Sequence, residues 1–163
     1  MRRVALVLLL VTAACGSSDP AGAPAAIATS STTAEEALAL DGPVMRFLQT
    51  TSPSGNVDTL VDGVLQLEGD CLFLTQEALA QRFPVLWPAG TRWDATNQSV
   101  VSPAGAVMPI GAAVLGRGGY FYLSDVQLLG GTAASNLAAS CVDNAYNQVV
   151  VVKNTDTAIG PKP

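Results

Sequence analysis

The sequence contains no histidine. That removes the imidazole on which Ser-His-Asp triads, most general-base catalysis and His-ligated metal sites depend. Charge is scarce, at 13 % of residues, and the balance is acidic, with a formal net charge of −5. The few lysines and arginines form no basic patch, which argues against a nucleic-acid partner, since phosphate binding needs clustered cations. No Gly-x-Ser-x-Gly elbow occurs. The glycine-rich Gly116-Arg117-Gly118-Gly119 lacks the lysine and following helix of a phosphate-binding loop. No EF-hand spacing is present. The sequence therefore assigns no catalytic residue, no metal ligand and no cofactor. Long apolar runs are also missing except for Val4–Val11, which is too short for the roughly 20 residues of a membrane span.

That run belongs to an address. Met1-Arg2-Arg3 is a short positive region, Val4–Val11 an apolar core, and Thr12-Ala13-Ala14 a small-residue site. Residues 1–14 thus read as a signal peptide. Thr12-Ala13-Ala14-Cys15, followed by Gly16-Ser17-Ser18-Asp19, resembles the lipobox of bacterial lipoproteins, although Thr12 stands where that family usually carries an aliphatic residue. The resemblance implies that Cys15 is lipidated and becomes the mature N-terminus. The chain would then be exported and anchored to the outer face of a bacterial membrane. Residues 15–34, rich in Gly, Ser, Ala, Pro and Thr, have too little large apolar surface to offset ordering entropy. They read as a disordered spacer.

Residues 35–56 form a pre-domain segment, with Val44, Phe47 and Leu48 available to pack on the outside of the main domain. Residues 57–155 are the domain itself, and 156–163 a tail. The domain is mainly β. Strand-like runs fall at 57–68 and 71–74, with Gly63 able to bend the first and Gly69-Asp70 between them as a tight hairpin or a bend. Thr75–Phe83 carries helical spacing and stops at Pro84. Val85–Trp87 is a short strand, and Ser99–Ser102 and Ala106–Ile110 flank a Pro/Gly turn as a hairpin. Gly111–Leu115 is a strand, Gly116–Gly119 the sharpest turn of the chain, and Tyr120–Leu123 another strand. Leu128-Leu129-Gly130-Gly131 is a break, and Ser135–Cys141 a short helix or loop. Gln148–Val152 is the final strand, rich in β-branched residues. Many short strands punctuated by Gly and Pro predict a small OB-like barrel, closed or partly open, of about six strands with one short helix. A β-sandwich is the alternative.

Cys71 and Cys141 remain after Cys15, and in an exported chain such a pair is most simply a disulfide. Pieces around Cys71–Leu74, Val85–Trp93 and Gly116–Tyr120 resemble a family of small exported bacterial domains of unassigned function. The resemblance spans about residues 57–152 and implies a fold but no activity. Trp93, Tyr120 and Tyr122 are aromatic faces suited to sugars or peptides, and Arg92 is suited to an anionic group. Trp87, in an apolar run, reads as core. The leading reading is a non-catalytic, membrane-anchored binding domain of the cell envelope, for cell-wall glycan or an envelope protein. An accessory subunit of an envelope complex is the alternative. A hydrolase using two carboxylates is a further one, with Asp58, Asp62, Glu68, Asp70, Glu77, Asp94 and Asp125 available.

Overall fold

The computed structural model describes residues 38–48, 58–153 and 159–162. Residues 1–14, read above as a signal peptide, and residues 15–34, read as Cys15 and a spacer, lie outside the described residues.

Five strands close a barrel. β3 (Thr59–Glu68) and β4 (Cys71–Gln76) form a hairpin on the two-residue turn Gly69-Asp70, where Gly69 supplies a φ of 59°. β5 (Gln81–Trp87) pairs antiparallel with β4 and parallel with β10 (Gln148–Val152). β10 pairs with β9 (Ala113–Tyr122), and β9 returns to β3. Counting barrel strands in chain order, the circuit is first, second, third, fifth, fourth and back to first. This is the Greek-key order of OB-like barrels. Closure through the β4–β5 pairing sets the sandwich aside.

Two short strands fill places where barrel strands stop short. β2 (Val44–Arg46), itself paired with β1 (Leu40–Asp41), lies beside Leu86 and Trp87 of β5, beyond the last residue of β5 paired to β4. β11 (Ile159–Pro161) lies beside Val114–Gly116 of β9, beyond the last residue of β9 paired to β10. The sheet thus draws strands from either side of residues 57–155. A separate three-stranded meander, β6 (Arg92–Asp94), β7 (Ser99–Val101) and β8 (Val107–Pro109), contains the expected hairpin.

Side chains alternate across these strands, as the two-residue period requires. Val61, Leu65, Leu74, Phe83, Val85, Trp87, Val150 and Val152 share the barrel interior with Val44 of β2 and with Val100 and Met108 of the meander. Trp87 is fully buried, as expected of an apolar strand. Met45, Leu86, Val149 and Val151 face the other way, under a helix.

That helix is the main departure from expectation. α1 (Leu123–Cys141) spans the stretch read as a strand end, a break and a short piece. Gly130 and Gly131 do different work in it. A Cβ on Gly130 would stand 3.0 Å from Leu86 Cδ1 and 3.1 Å from Arg46 O, so the glycine lets α1 lie close on β5 and β2. Gly131, at φ 76° and ψ −176°, breaks the helical path. Near that kink the Leu129 carbonyl accepts a hydrogen bond from Leu48 N–H at 3.0 Å. Conversely, the helix expected over Thr75–Phe83 is only a 3₁₀ turn, Glu77–Leu79, between β4 and β5. Pro84 lies inside β5, next to the residue where β5 begins to pair with β10.

Gly116–Gly119 is likewise not a turn but the middle of β9. A Cβ on Gly118 would stand 2.3 Å from Val151 O. The glycines permit close backbone approach rather than reversal.

The far end of α1 is tied down twice. Cys141 is bridged to Cys71, with Cα atoms 5.5 Å apart. Arg82 donates to Asp143 (Nε, 2.8 Å) and to Glu68, and its guanidinium lies 4.4 Å from the centre of the Phe73 ring. Between α1 and β10, Asn144 organises the loop. Its Oδ1 accepts from Gln148 N–H (3.0 Å) and Tyr146 N–H (3.2 Å), and its Nδ2 donates to Gln148 O (2.7 Å). The residue is buried. Asn144→Ala is expected to cost about 2 kcal/mol, because it leaves backbone groups without partners. Urea unfolding of the oxidised protein measures this, and a cost below a few tenths would mean that water replaces the amide.

Candidate functional site

The pairing of β3 with its neighbours is uneven. With β9 it runs from Thr59 to Val64, but with β4 it runs only from Val64 to Glu68. Beyond Gln76 the chain leaves the sheet for the Glu77–Leu79 turn. The first half of β3 therefore has a strand on one side only. Gly63 sits at the change-over, where a Cβ would meet Thr75 O at 2.6 Å and Leu74 Cγ at 2.9 Å. Only glycine fits there, because the Thr75 backbone lies so close.

A cavity of about 500 Å³ occupies this opening. Asp62, Gln76, Glu77, Leu79, Tyr120 and Lys162 are among the residues around it. Its size lies within the range of small-molecule and side-chain pockets. Gln76 spans the opening. Its Nε2 donates to Asp62 O at 3.1 Å and to the Tyr120 hydroxyl at 2.5 Å. The side-chain amide thus takes up a carbonyl that the next residue of β4 would have bonded. Its own Oε1 is buried without a partner, as is Oε1 of Gln81, the residue opposite it in the β4–β5 register. Lys162 Nζ lies 3.2 Å from Asp62 Oδ2 at the rim.

Tyr120 enters from β9. Its ring packs edge-on against Phe83, with centroids 5.1 Å apart. Desolvation raises its pKa above the ordinary 10.0, the Gln76 amide pulls it down, and the Asp62 charge pushes it up. A neutral phenol favoured by the folded state gives stability that is fully present below the unfolded pKa. That stability is lost as pH rises through the folded one. Absorbance titration is expected to show one tyrosine ionising late, and Tyr120→Phe should remove that phase. A titration unchanged by the substitution would contradict the assignment.

The other sequence-selected residues are elsewhere. Tyr122 is 61 % exposed and borders a second, shallower depression near Ser124 and Asn147. Trp93 is half-buried against the barrel core. Its indole lies over the β1–β2 turn, where a Cβ on Gly42 would stand 2.8 Å from Trp93 Cδ1. The backbone N–H of Trp93 donates to Asp41 Oδ2 at 3.1 Å. Arg92 is exposed on the meander. Its neighbour Asp94 is occupied in the β6–β7 turn, accepting from Asn97 Nδ2 at 2.7 Å and from the N–H groups of Thr96 and Asn97. The Asn97 amide and N–H are the main causes holding the Asp94 carboxyl below its usual range, and Arg92 contributes least. Of the four residues singled out, Tyr120 alone borders the β3 opening.

The carboxylates are largely engaged. Asp58 meets Lys153 at 2.8 Å, Asp62 meets Lys162, and Glu68 and Asp143 share Arg82. Asp62 and Glu77 both border the cavity. Among the described residues, no three His, Cys, Asp or Glu side chains gather as a metal site would require. The residues that sequence reasoning passed over are Gln76 and Lys162. Gln76 sat inside a stretch read as helix, and Lys162 in a segment read as tail.

No protein-family model, curated protein or solved structure matches the chain.

Proposed function

We propose that this chain is a lipid-anchored, extracytoplasmic binding domain of a bacterial cell envelope, acting by recognition rather than catalysis. The address rests on the N-terminal pattern ending at Cys15, and the Cys71–Cys141 bridge suits an oxidising compartment. The observation that carries the binding role is the cavity at the β3 opening. There the closed, disulfide-braced barrel leaves the first half of β3 without a second neighbour, beside Tyr120, Gln76 and the Asp62–Lys162 pair. Partners in keeping with it are cell-wall glycan or an envelope protein.

The test uses the full chain, oxidised and held in mild detergent. It is incubated separately with insoluble cell-wall glycan and with an envelope-protein extract. Saturable retention by either supports the reading, and retention by neither removes it. Fatty-acid labelling that disappears in Cys15→Ser checks the anchor independently.

A further inference from the structure

In two places where a strand of this barrel loses its neighbour, another strand takes the place. β2 covers the end of β5 that β4 leaves, and β11 covers the part of β9 that β10 leaves. The first half of β3 is another such place, and there, among the described residues, the Gln76 side chain reaches across. The direction of the backbone groups follows from the ladder. Leu65 bonds toward β9 through its N–H to Ala112 O (3.0 Å) and through its carbonyl to Gly111 N–H (2.8 Å). Alternation along a strand then turns Gly63, Val61 and Thr59 toward β9, turns Val64 toward β4, and turns Asp62 and Leu60 toward the opening. The Gln76 contact to Asp62 O agrees with this assignment. The N–H groups of Leu60 and Asp62 and the carbonyl of Leu60 thus face the opening, with no strand pairing there among the described residues.

We infer that this opening receives an extended peptide segment of a partner protein, which adds as a strand along Leu60–Asp62 and carries a lysine or arginine toward the cavity. The inference rests on the binding reading above and names the partner class for the same site. Main-chain groups in strand register select a polypeptide over a sugar, because a sugar cannot repeat the N–H and C=O spacing. Exposed Leu60 (59 %) and Leu79 (60 %) give the added strand apolar flanks. The charge of the rim selects a basic residue. Asp62 is matched by Lys162, whereas Glu77 has no ion pair among the described residues, and the chain as a whole is acidic.

The first check needs no partner. In the free, oxidised full chain, the amides of Leu60 and Asp62 are expected to exchange rapidly with deuterium, and those of Val61 and Gly63 slowly. Slow exchange at all four positions would mean that a segment of this chain already occupies the opening, and the inference would be wrong. The second check adds a short end-blocked peptide of alternating valine and threonine with one central lysine, and its glutamate counterpart. The lysine peptide should bind and protect the Leu60 and Asp62 amides, and the glutamate peptide should bind more weakly. Glu77→Lys, an exposed change, should reverse that preference by about fivefold. Leu60→Pro removes an N–H that the sheet does not use, so it should fold and lose the peptide. Binding of N-acetylated sugar oligomers at Tyr120 in place of the peptide, or peptide binding indifferent to Leu60→Pro, would overturn the inference. Full-chain Leu60→Pro that still retains envelope proteins would sink the strand-addition site and leave the binding role intact. Loss of retention by the unaltered chain as well would sink both.

Discussion

Reduction of the Cys71–Cys141 bridge is expected to lower the unfolding free energy by about 4 kcal/mol, because the bridge closes a long loop in the unfolded chain. The two residues are 70 apart in sequence, and the closed loop includes β4, β5, the whole meander, β9 and α1. The native side of the balance changes less. Arg82 still joins Glu68 and Asp143 after reduction, and Val142 N–H still bonds Ala138 O at 2.9 Å. Denaturant titrations with and without reductant, repeated on the paired Cys71→Ala and Cys141→Ala variant, measure the effect. The reduced protein and the double variant should agree. Amides near the end of α1 should exchange faster before those of the barrel do. A midpoint unmoved by reductant would show that the unfolded chain is already compact across this loop.

The second large effect is expected at Gly118. Its added Cβ would stand 2.3 Å from Val151 O, 3.2 Å from Val151 C and 3.3 Å from Val152 Cα. Every one of these is a backbone atom of the neighbouring strand, so no side chain can swing away to make room. β9 and β10 would have to separate where Gly118 faces Val152 and Gly119 faces Val151. Gly118→Ala is therefore expected to cost about 3 kcal/mol or more. Gly160→Ala on β11 is the control, since nothing lies within 4 Å of the added atom and its backbone is not in the left-handed region. Thermal unfolding of the two variants side by side decides the matter. Equal midpoints would mean that β10 can shift outward at little cost.

Gly118 also shows why part of this fold was legible in the sequence and part was not. The β character, the reversal or bend at Gly69-Asp70, the buried Trp87 and the valine strand could be read because each is decided locally. Turn chemistry and β-branched runs act over a few residues. The glycines at 116–119 were misread because a turn and a close strand approach ask for the same residue, and only Val151, more than thirty residues on, tells them apart. Gly130-Gly131 has the same ambiguity. It looks like a break until Leu86 and the Arg46 carbonyl are set beside it, and then the first glycine is a contact surface and the second a kink. Pro84 misled in the opposite way, by suggesting the end of a helix that forms no more than one turn. Of the candidate site, Tyr120 was singled out in advance as a binding residue, and Asp62 and Glu77 only among seven available carboxylates. The rest is created by where β4 stops, and Gln76 has no signature that marks it as a bridge across an opening.

β10 has a consequence for handling the unfolded chain. Val149, Val150, Val151 and Val152 are all fully buried, two inside the barrel and two under α1. A strand covered on both faces needs no polar alternation, and this one has none. Released from β5 and β9, the same run is a short, uncharged, β-branched segment of the kind that stacks with its own copies. Refolding is then a race between intramolecular capture by two strands and intermolecular association. The first is independent of protein concentration and the second is not, so recovery of native protein should fall as the chain is refolded from more concentrated solution.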